Sequence, residues 1–423
     1  MDPRLFVKSL GIAFLSCALI TTPAAAFQEH TYNFVSKRHG FNPWGGLIFD
    51  TTGNLYGTTL SGGTGKLDNV CPEGCGVAFE LSASPKGAKE TVLHNFCSAA
   101  NCADGALPYA GLIFDSAGNL YGTAANGGLT DHCGQGCGVA FELTRNPDGT
   151  WSESILYSFS GLEDGSLPLG GLISDSVGNL YGTTAYGGAY GAGVVFELSP
   201  ITGGWSEKVL YSFTGGTDGS NPSAGLVFDS AGNLYGSASG INSNSAGVVF
   251  ELSPEFEGWI ETVLYSFTGG SDGQHPESDL VFDIAGNLYG STFSGGMQDQ
   301  RCPYEIGCGV IFKLTPNPNG WGQIVIHAFT GGSDGAYPSG KLTFDGENSI
   351  YGTTIYGGKY RDGVAFRLTP AEGGDWQEKS FSLSLSNGSH PRGGLILDAA
   401  GNVYGTASQG GFNGNGTVFV LTP

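Results

Sequence analysis

A chain of 423 residues with 17 Lys and Arg against 38 Asp and Glu, a formal charge of −21, offers no basic surface for nucleic acid or an anionic membrane. Its 74 glycines lack a period of three, which excludes collagen. Apolar residues make up 40% of the chain and recur in short runs, enough for a large core and too many for a disordered polymer.

At the start, Arg4 and Lys8 precede an apolar stretch from Leu10 to Ile20, and Ala24-Ala25-Ala26 follows. This is the grammar of a secretory signal peptide, too short for a membrane span, with cleavage expected after Ala26. Residues 27–423 are then expected to form one domain, exported to the periplasm or the exterior without membrane insertion. No later apolar run approaches the roughly 20 residues of a spanning helix, and no sorting tail is recognised after the last repeat.

From there a single unit repeats. Gly-Asn-Leu-Tyr-Gly, or a drifted form of it, places an Asn at 54, 119, 179, 233, 287 and 402, and the sixth copy reads Asn348-Ser349-Ile350-Tyr351. A basic unit of 54 residues with insertions fits the spacing. Each unit reads as four strands: Gly111 to Asp115, Leu120 to Thr123, the Gly193 to Leu198 type, and the Trp205 to Phe213 type. The runs are short, rich in β-branched and aromatic residues, and bounded by Gly, Pro, Asn and Asp. Seven units of four strands predict an all-β, seven-bladed β-propeller of antiparallel blades.

The ends support a ring over an open solenoid. The seventh unit stops after a third strand, Thr417 to Leu421, while Thr31 to Phe34 stands alone as a fourth strand. Pairing the two would remove an exposed edge and close the ring with the N-terminal strand completing the last blade.

Propeller geometry sorts the loops onto two faces. The turn between first and second strands opens with Asp in every unit, at 50, 115, 175, 229, 283, 345 and 398, and is read as local turn chemistry in preference to metal ligation. The loops between second and third strands vary: Gly187 to Gly193 is short, whereas Ser61 to Gly76 and Ser294 to Gly309 are long. Recognition is expected on that face. Cys17 leaves with the signal peptide. Cys71–Cys75, Cys97–Cys102, Cys133–Cys137 and Cys302–Cys308 are paired as disulfides on the same face, zinc being the rival. Loops this small limit each bond to about 2 kcal/mol, so they stiffen loops and do not hold the ring.

The loops from fourth to first strand carry Asp104, Asp164, Asp218, Asp272 and Asp334, with His39 and Asn387 in the equivalent places. These carboxylates are candidates to line the channel mouth and take calcium, against the reading that Asp-Gly-x-x-Pro is a turn. His39, His275 and His390 share these loops and join the candidate binding set. His94 and His327 occupy a fourth-strand Tyr position, which packing explains. Trp151, Trp205, Trp259, Trp321 and Trp376 open fourth strands and read as packing, whereas Trp44, ahead of the first blade, is a candidate to stack on a planar ligand. Tyr186, Tyr190, Tyr304, Tyr356 and Tyr360 lie in or beside the variable loops. No nucleophile elbow, zinc-protease helix or phosphate loop occurs, and no catalytic residue is assigned.

Taken whole, Gly111 to Thr123 (Gly-Leu-Ile-Phe-Asp-Ser-Ala-Gly-Asn-Leu-Tyr-Gly-Thr), followed by Gly-Val-Val-Phe-Glu-Leu and Val-Leu-Tyr-Ser-Phe-Thr-Gly-Gly, resembles the GloVer tandem-repeat (choice-of-anchor repeat) family of exported bacterial proteins. The likeness covers nearly all of the mature chain and implies export without naming an activity. Gly187-Gly188 and Trp205 are loosely similar to kelch propellers, a likeness that would admit a galactose-oxidase type of copper enzyme, but no Cys–Tyr cofactor can be assigned. The expectation is a monomeric, non-enzymatic binding or scaffold protein whose partner is an extracellular glycan or protein. The alternative is a polysaccharide-active lyase or hydrolase with its site at the channel mouth.

Overall fold

Val, Ile, Phe and Tyr alternate with turn residues closely enough that no stretch has the length or period of a helix, and the backbone follows that pattern. The computed structural model describes residues 28–422 apart from 68–69, 85–86, 130–131, 241–244, 257 and 303–305. The predicted signal peptide, residues 1–26, lies outside them. Seven antiparallel sheets of four strands each form the blades of a propeller, and only three short 3-10 turns interrupt the β-structure among the described residues. Blade two is typical, with strands Ile113–Phe114, Leu120–Ala124, Val139–Arg145 and Trp151–Ser158 running from innermost to outermost.

Two features depart from the sequence expectation. The innermost strand pairs over only two residues in most blades, because its Gly-rich approach is packed against the neighbouring blade. A Cβ on Gly45 would stand 2.6 Å from the Ala110 carbonyl oxygen. In blades five and six the loop before that strand also joins the sheet, as Gln274–Pro276 and as the start of Ala336–Phe344.

The second strand of each blade is covered on both sides, so Leu120–Ala124 is buried throughout. This explains the Gly of Leu-Tyr-Gly. On Gly122 a Cβ would meet Phe141 Cζ at 2.7 Å and Leu112 Cδ2 at 2.9 Å, and neither ring nor Leu can retreat in a close-packed core. The outermost strand faces solvent on one side and alternates accordingly. A bulge after Val195 lets both Leu210 and Phe213 turn inward.

One contact set recurs from blade to blade. The Phe that ends an outermost strand packs edge-on against the third-strand Phe of the next blade, as Phe96 on Phe141 at 5.0 Å and Phe213 on Phe250 at 5.1 Å. On the channel side, a second-strand Thr or Ser donates to a carbonyl ahead of the next innermost strand, as Thr58 to Ala110 at 2.7 Å and Thr183 to Ala224 at 2.9 Å.

The ring closes through these same contacts. Gln28–Asn33 pairs antiparallel with Thr417–Thr422, completing the last blade as the sequence predicted. Phe34 is fully buried and lies 5.3 Å from Phe79 of blade one, while Thr406 Oγ1 donates to the Gly45 carbonyl at 3.1 Å.

The uniform turns are structural. Asp50 accepts from the Thr52 and Asn54 backbone N–H groups, the Asn54 amide and, at 3.4 Å, the Tyr56 hydroxyl. Burial pushes this carboxyl up, but the hydrogen bonds more than offset it and hold it below its ordinary value. The other six turns use the same Asp in the same way.

If closure equals any other joint, Phe34→Ala and Phe213→Ala should each destabilise the protein by about 3–5 kcal/mol. Urea denaturation of both variants checks this. A loss below about 1 kcal/mol for Phe34→Ala, with Phe213→Ala costly, would mean the N-terminal strand does not hold the ring.

Candidate functional site

Every blade is entered through the same device. The residue before the loop proline adopts a left-handed conformation in all seven copies, with φ between 54° and 60° at Asn42, Leu107, Leu167, Asn221, His275, Tyr337 and His390. Its N–H donates at 2.8–2.9 Å to a carbonyl ahead of the third strand in the preceding blade, for example Leu107 to Cys75 and Asn42 to Asn415. The residue after the proline is thereby delivered to the end of the channel on the variable-loop face. Those residues are Trp44, Tyr109, Leu169, Ser223, Glu277, Ser339 and Arg392.

Four of them make a site. The Arg392 guanidinium lies 4.0 Å from the centre of the Trp44 ring, Tyr109 meets Trp44 edge-on at 5.1 Å, and Trp44 Nε1 donates to Asn42 Oδ1 at 2.8 Å. Glu277 feels the charge of Arg392 although their blades are not neighbours. Burial pushes the Glu277 carboxyl up to about 7, and Arg392 pulls the other way. Burial likewise raises the Tyr109 hydroxyl against the pull of Arg392. Two residues further in, Asp279 and Lys341 stand where the other five blades have Gly. Asp279 accepts the Gly225 N–H at 2.7 Å. An aromatic pair, a stacked cation and an acid near neutrality can hold a planar or polar ligand by stacking and charge.

Of the predicted residues, Trp44 is in this site. Asp104, Asp164, Asp218, Asp272 and Asp334 do not ring the mouth with it. Each is tied to the end of its own outermost strand. Asp218 accepts from the Thr214 N–H and hydroxyl and the Tyr211 hydroxyl, and Asp104 from the Ser98 N–H and hydroxyl. Local loop donors engage each of these carboxylates, although Asp104 keeps Oδ1 without a partner among the described residues. Asn387 builds the same loop in blade seven. His39 contacts Glu90 at 3.2 Å, and His275 and His390 turn toward Ser294 and Ser389. Burial depresses the pKa of both His275 and His390. Tyr186, Tyr190 and Tyr360 are exposed, Tyr356 packs on Tyr337 and His390, and Tyr304 lies outside the described residues. All four disulfides form as paired in the sequence. Beside them on blade one, Lys37, Arg38 and Lys66 line a surface cleft of about 500 Å³.

Sequence reasoning missed Tyr109, Glu277 and Arg392. The signal was available: the position after the loop proline differs from blade to blade between two uniform flanks.

A second set of ionisable groups sits at the outer joints. Glu153, Glu207, Glu261 and Glu378 on outermost strands face the loop Asp of the preceding blade, and each leaves Oε1 without a hydrogen-bond partner among the described residues. Burial first, and the neighbouring Asp second, push Glu207 and Glu261 up to about 7. Blade five carries Gln323 at this position, and its amide donates to the Asp272 carbonyl at 3.2 Å.

A family model described as the Gloeobacter/Verrucomicrobia repeat matches residues 67–302 and 303–423. No curated protein matches the chain in sequence. Among solved structures it is similar to the extracellular domain of a one-component system from B. thetaiotaomicron, at 9% identity and a TM-score of 0.57 over 93% of this chain. The match spans 39% of that longer chain. It is also similar to a Bacteroides uniformis protein described as a putative 6-phosphogluconolactonase, at 14% identity and a TM-score of 0.51, covering 84% of this chain and 89% of the other. At these identities the likeness speaks to the fold alone.

The joint acids predict a pH effect of definite sign. Glu207 and Glu261 hold protons in the folded chain up to about pH 7 and lose them near 4.5 when unfolded. Their contribution is therefore complete below the unfolded value and is lost as pH rises through 7. The double variant Glu207→Gln/Glu261→Gln should match the parent at pH 4 and exceed it at pH 8, by about 1 kcal/mol per site once solvent screening is allowed for. Melting curves across that range check it, and parallel pH profiles would refute it.

Proposed function

The chain belongs to the Gloeobacter/Verrucomicrobia repeat family, and from that premise we propose that it is an exported binding propeller that takes an extracellular glycan or protein segment on its variable-loop face. Export rests on the signal-peptide pattern in residues 1–26 and on four disulfides, which persist in oxidising compartments. The observation that carries the binding reading is the mouth cluster. Trp44 and Arg392 come from opposite ends of the sequence to stack at the channel end, on the face that also bears the disulfide-stiffened loops.

Stacking on Trp44 suits the apolar face of a sugar ring or an aromatic side chain, and Arg392 and Glu277 add one cation and one acid for polar groups on the same ligand. The partly buried position of these side chains limits the ligand to an end or a loop that enters the mouth. A flat protein surface does not fit so well.

Glu277 favours a second reading, a polysaccharide-active lyase or hydrolase at the same mouth. An acid tuned to about 7 is matched to proton transfer at neutral pH.

On glycan and peptide arrays, the mature protein should bind a ligand that Trp44→Ala weakens at least ~10-fold, while Tyr190→Ala on an outlying loop leaves it intact. Binding indifferent to Trp44→Ala would overturn the mouth as the centre of recognition. Turnover of a bound polysaccharide, abolished in Glu277→Gln with binding kept, would replace the binding reading by the enzymatic one.

A further inference from the structure

Between blades one and two, three side chains from separate segments converge. His94 ends the outermost strand of blade one, Asp104 lies in the following loop, and Glu153 comes from the outermost strand of blade two. One donor atom from each lies within 4.8 Å of the others. His94 Nε2 stands 3.4 Å from Asp104 Oδ2 and 3.4 Å from Glu153 Oε1. The side chains are 14%, 6% and 10% exposed for His94, Asp104 and Glu153. Yet His94 Nε2, Asp104 Oδ1 and Glu153 Oε1 have no hydrogen-bond partner among the described residues. Native proteins rarely leave one such atom unsatisfied, and here His94 Nε2 and Glu153 Oε1 face each other beside an Asp104 carboxyl whose Oδ2 is held by Ser98 and whose Oδ1 is unpartnered.

The other joints serve as internal controls. Where Tyr157, Tyr211 and Tyr265 replace the histidine, the phenol donates to the loop Asp at 3.0–3.1 Å, so no ring heteroatom is left over, although Glu207 and Glu261 there keep an unpartnered Oε1. The histidine returns once more, at the joint of blades five and six. There His327 Nε2 lies 3.5 Å from Asp334 Oδ2, Glu378 approaches, and His327 Nε2 and Glu378 Oε1 are again unpartnered. An imidazole at this position thus coincides twice with the same pair of carboxyl groups.

We propose that His94, Asp104 and Glu153 bind a divalent transition-metal ion of the zinc class, which clamps blade one to blade two. A tetrahedral ion with bonds of about 2.0–2.1 Å separates its ligand atoms by about 3.3 Å, close to the 3.4 Å found from His94 to each carboxyl oxygen. One imidazole nitrogen with two carboxylate oxygens suits zinc, and an all-oxygen cage, which calcium prefers, is not offered. Water can take the remaining position. This site is independent of the channel mouth and does not rest on the binding reading.

The test uses the metal alone. In a His327→Tyr background, which leaves this joint as the histidine-bearing one, chelator-treated protein is titrated calorimetrically with zinc and, separately, calcium. One saturable equivalent of zinc is expected, with a rise in melting temperature. His94→Tyr installs the residue of blades two to four, and Glu153→Gln installs that of blade five. Each should weaken zinc binding at least ~100-fold while keeping the metal-free melting temperature within a few degrees. Absence of saturable zinc binding, zinc affinity unchanged in both variants, or tighter calcium binding would overturn the proposal. If His94→Tyr does not fold, Glu153→Gln decides it.

Discussion

The left-handed residue ahead of each loop proline is the constraint on which the rest depends. Leu, Asn, His and Tyr pay about 1–2 kcal/mol for that conformation, and the chain adopts it seven times. The compensation is a hydrogen bond from the same residue to the preceding blade, which also satisfies an N–H at a packed joint. The cost is local and the return is between blades, so the conformation persists only while the ring is assembled. Three of the acceptor carbonyls belong to Cys75, Cys137 and Cys308, each a member of a disulfide. The bridges stiffen the segments that receive these bonds, which gives their position on one face a mechanical reason.

Much of the fold was legible because each joint poses the same packing problem and receives the same answer. Leu-Tyr-Gly, the turn Asp and the closing Phe recur because one geometry of Gly against Phe and Leu admits them. The closing strand could be read because a missing fourth strand at one end matched a spare one at the other. The site was less legible. Trp44 and Arg392 meet only after the ring closes, and no local pattern records that contact. The loop Asp residues misled for the opposite reason. Asp104 and its equivalents recur in five loops, which suggested a shared ligand, yet the local N–H and hydroxyl donors common to these loops give a reason for the recurrence.

His94 and His327 show the same limit from another side. Both occupy a Tyr position and both pack edge-on against the following Phe, at 4.9 and 4.7 Å, so the packing role read from sequence is present. What sequence could not give is the direction of Nε2. A phenol at this position turns its O–H onto the loop Asp, whereas the imidazole nitrogen lies farther back and meets a carboxyl from the next blade as well. Packing fixes the ring, and the difference in heteroatom position then decides whether the ring's own polar atom finds a partner within the joint.

A repeat of this kind separates folding from function by the uniformity of its positions. Where a side chain packs into the neighbouring blade, as the closing Phe and the Gly of Leu-Tyr-Gly do, the copies largely agree, since a departure would open a joint. The position after the loop proline faces the channel and contacts no common partner, so the joint does not constrain it. Four of its seven occupants are aromatic or charged, and three of these are not scattered: Arg392, Trp44 and Tyr109 come from three consecutive blades, seven, one and two. Fold stability gives no reason for that adjacency. A ligand entering the mouth does, because it would meet the edge-on rings of Trp44 and Tyr109 together with the Arg392 guanidinium.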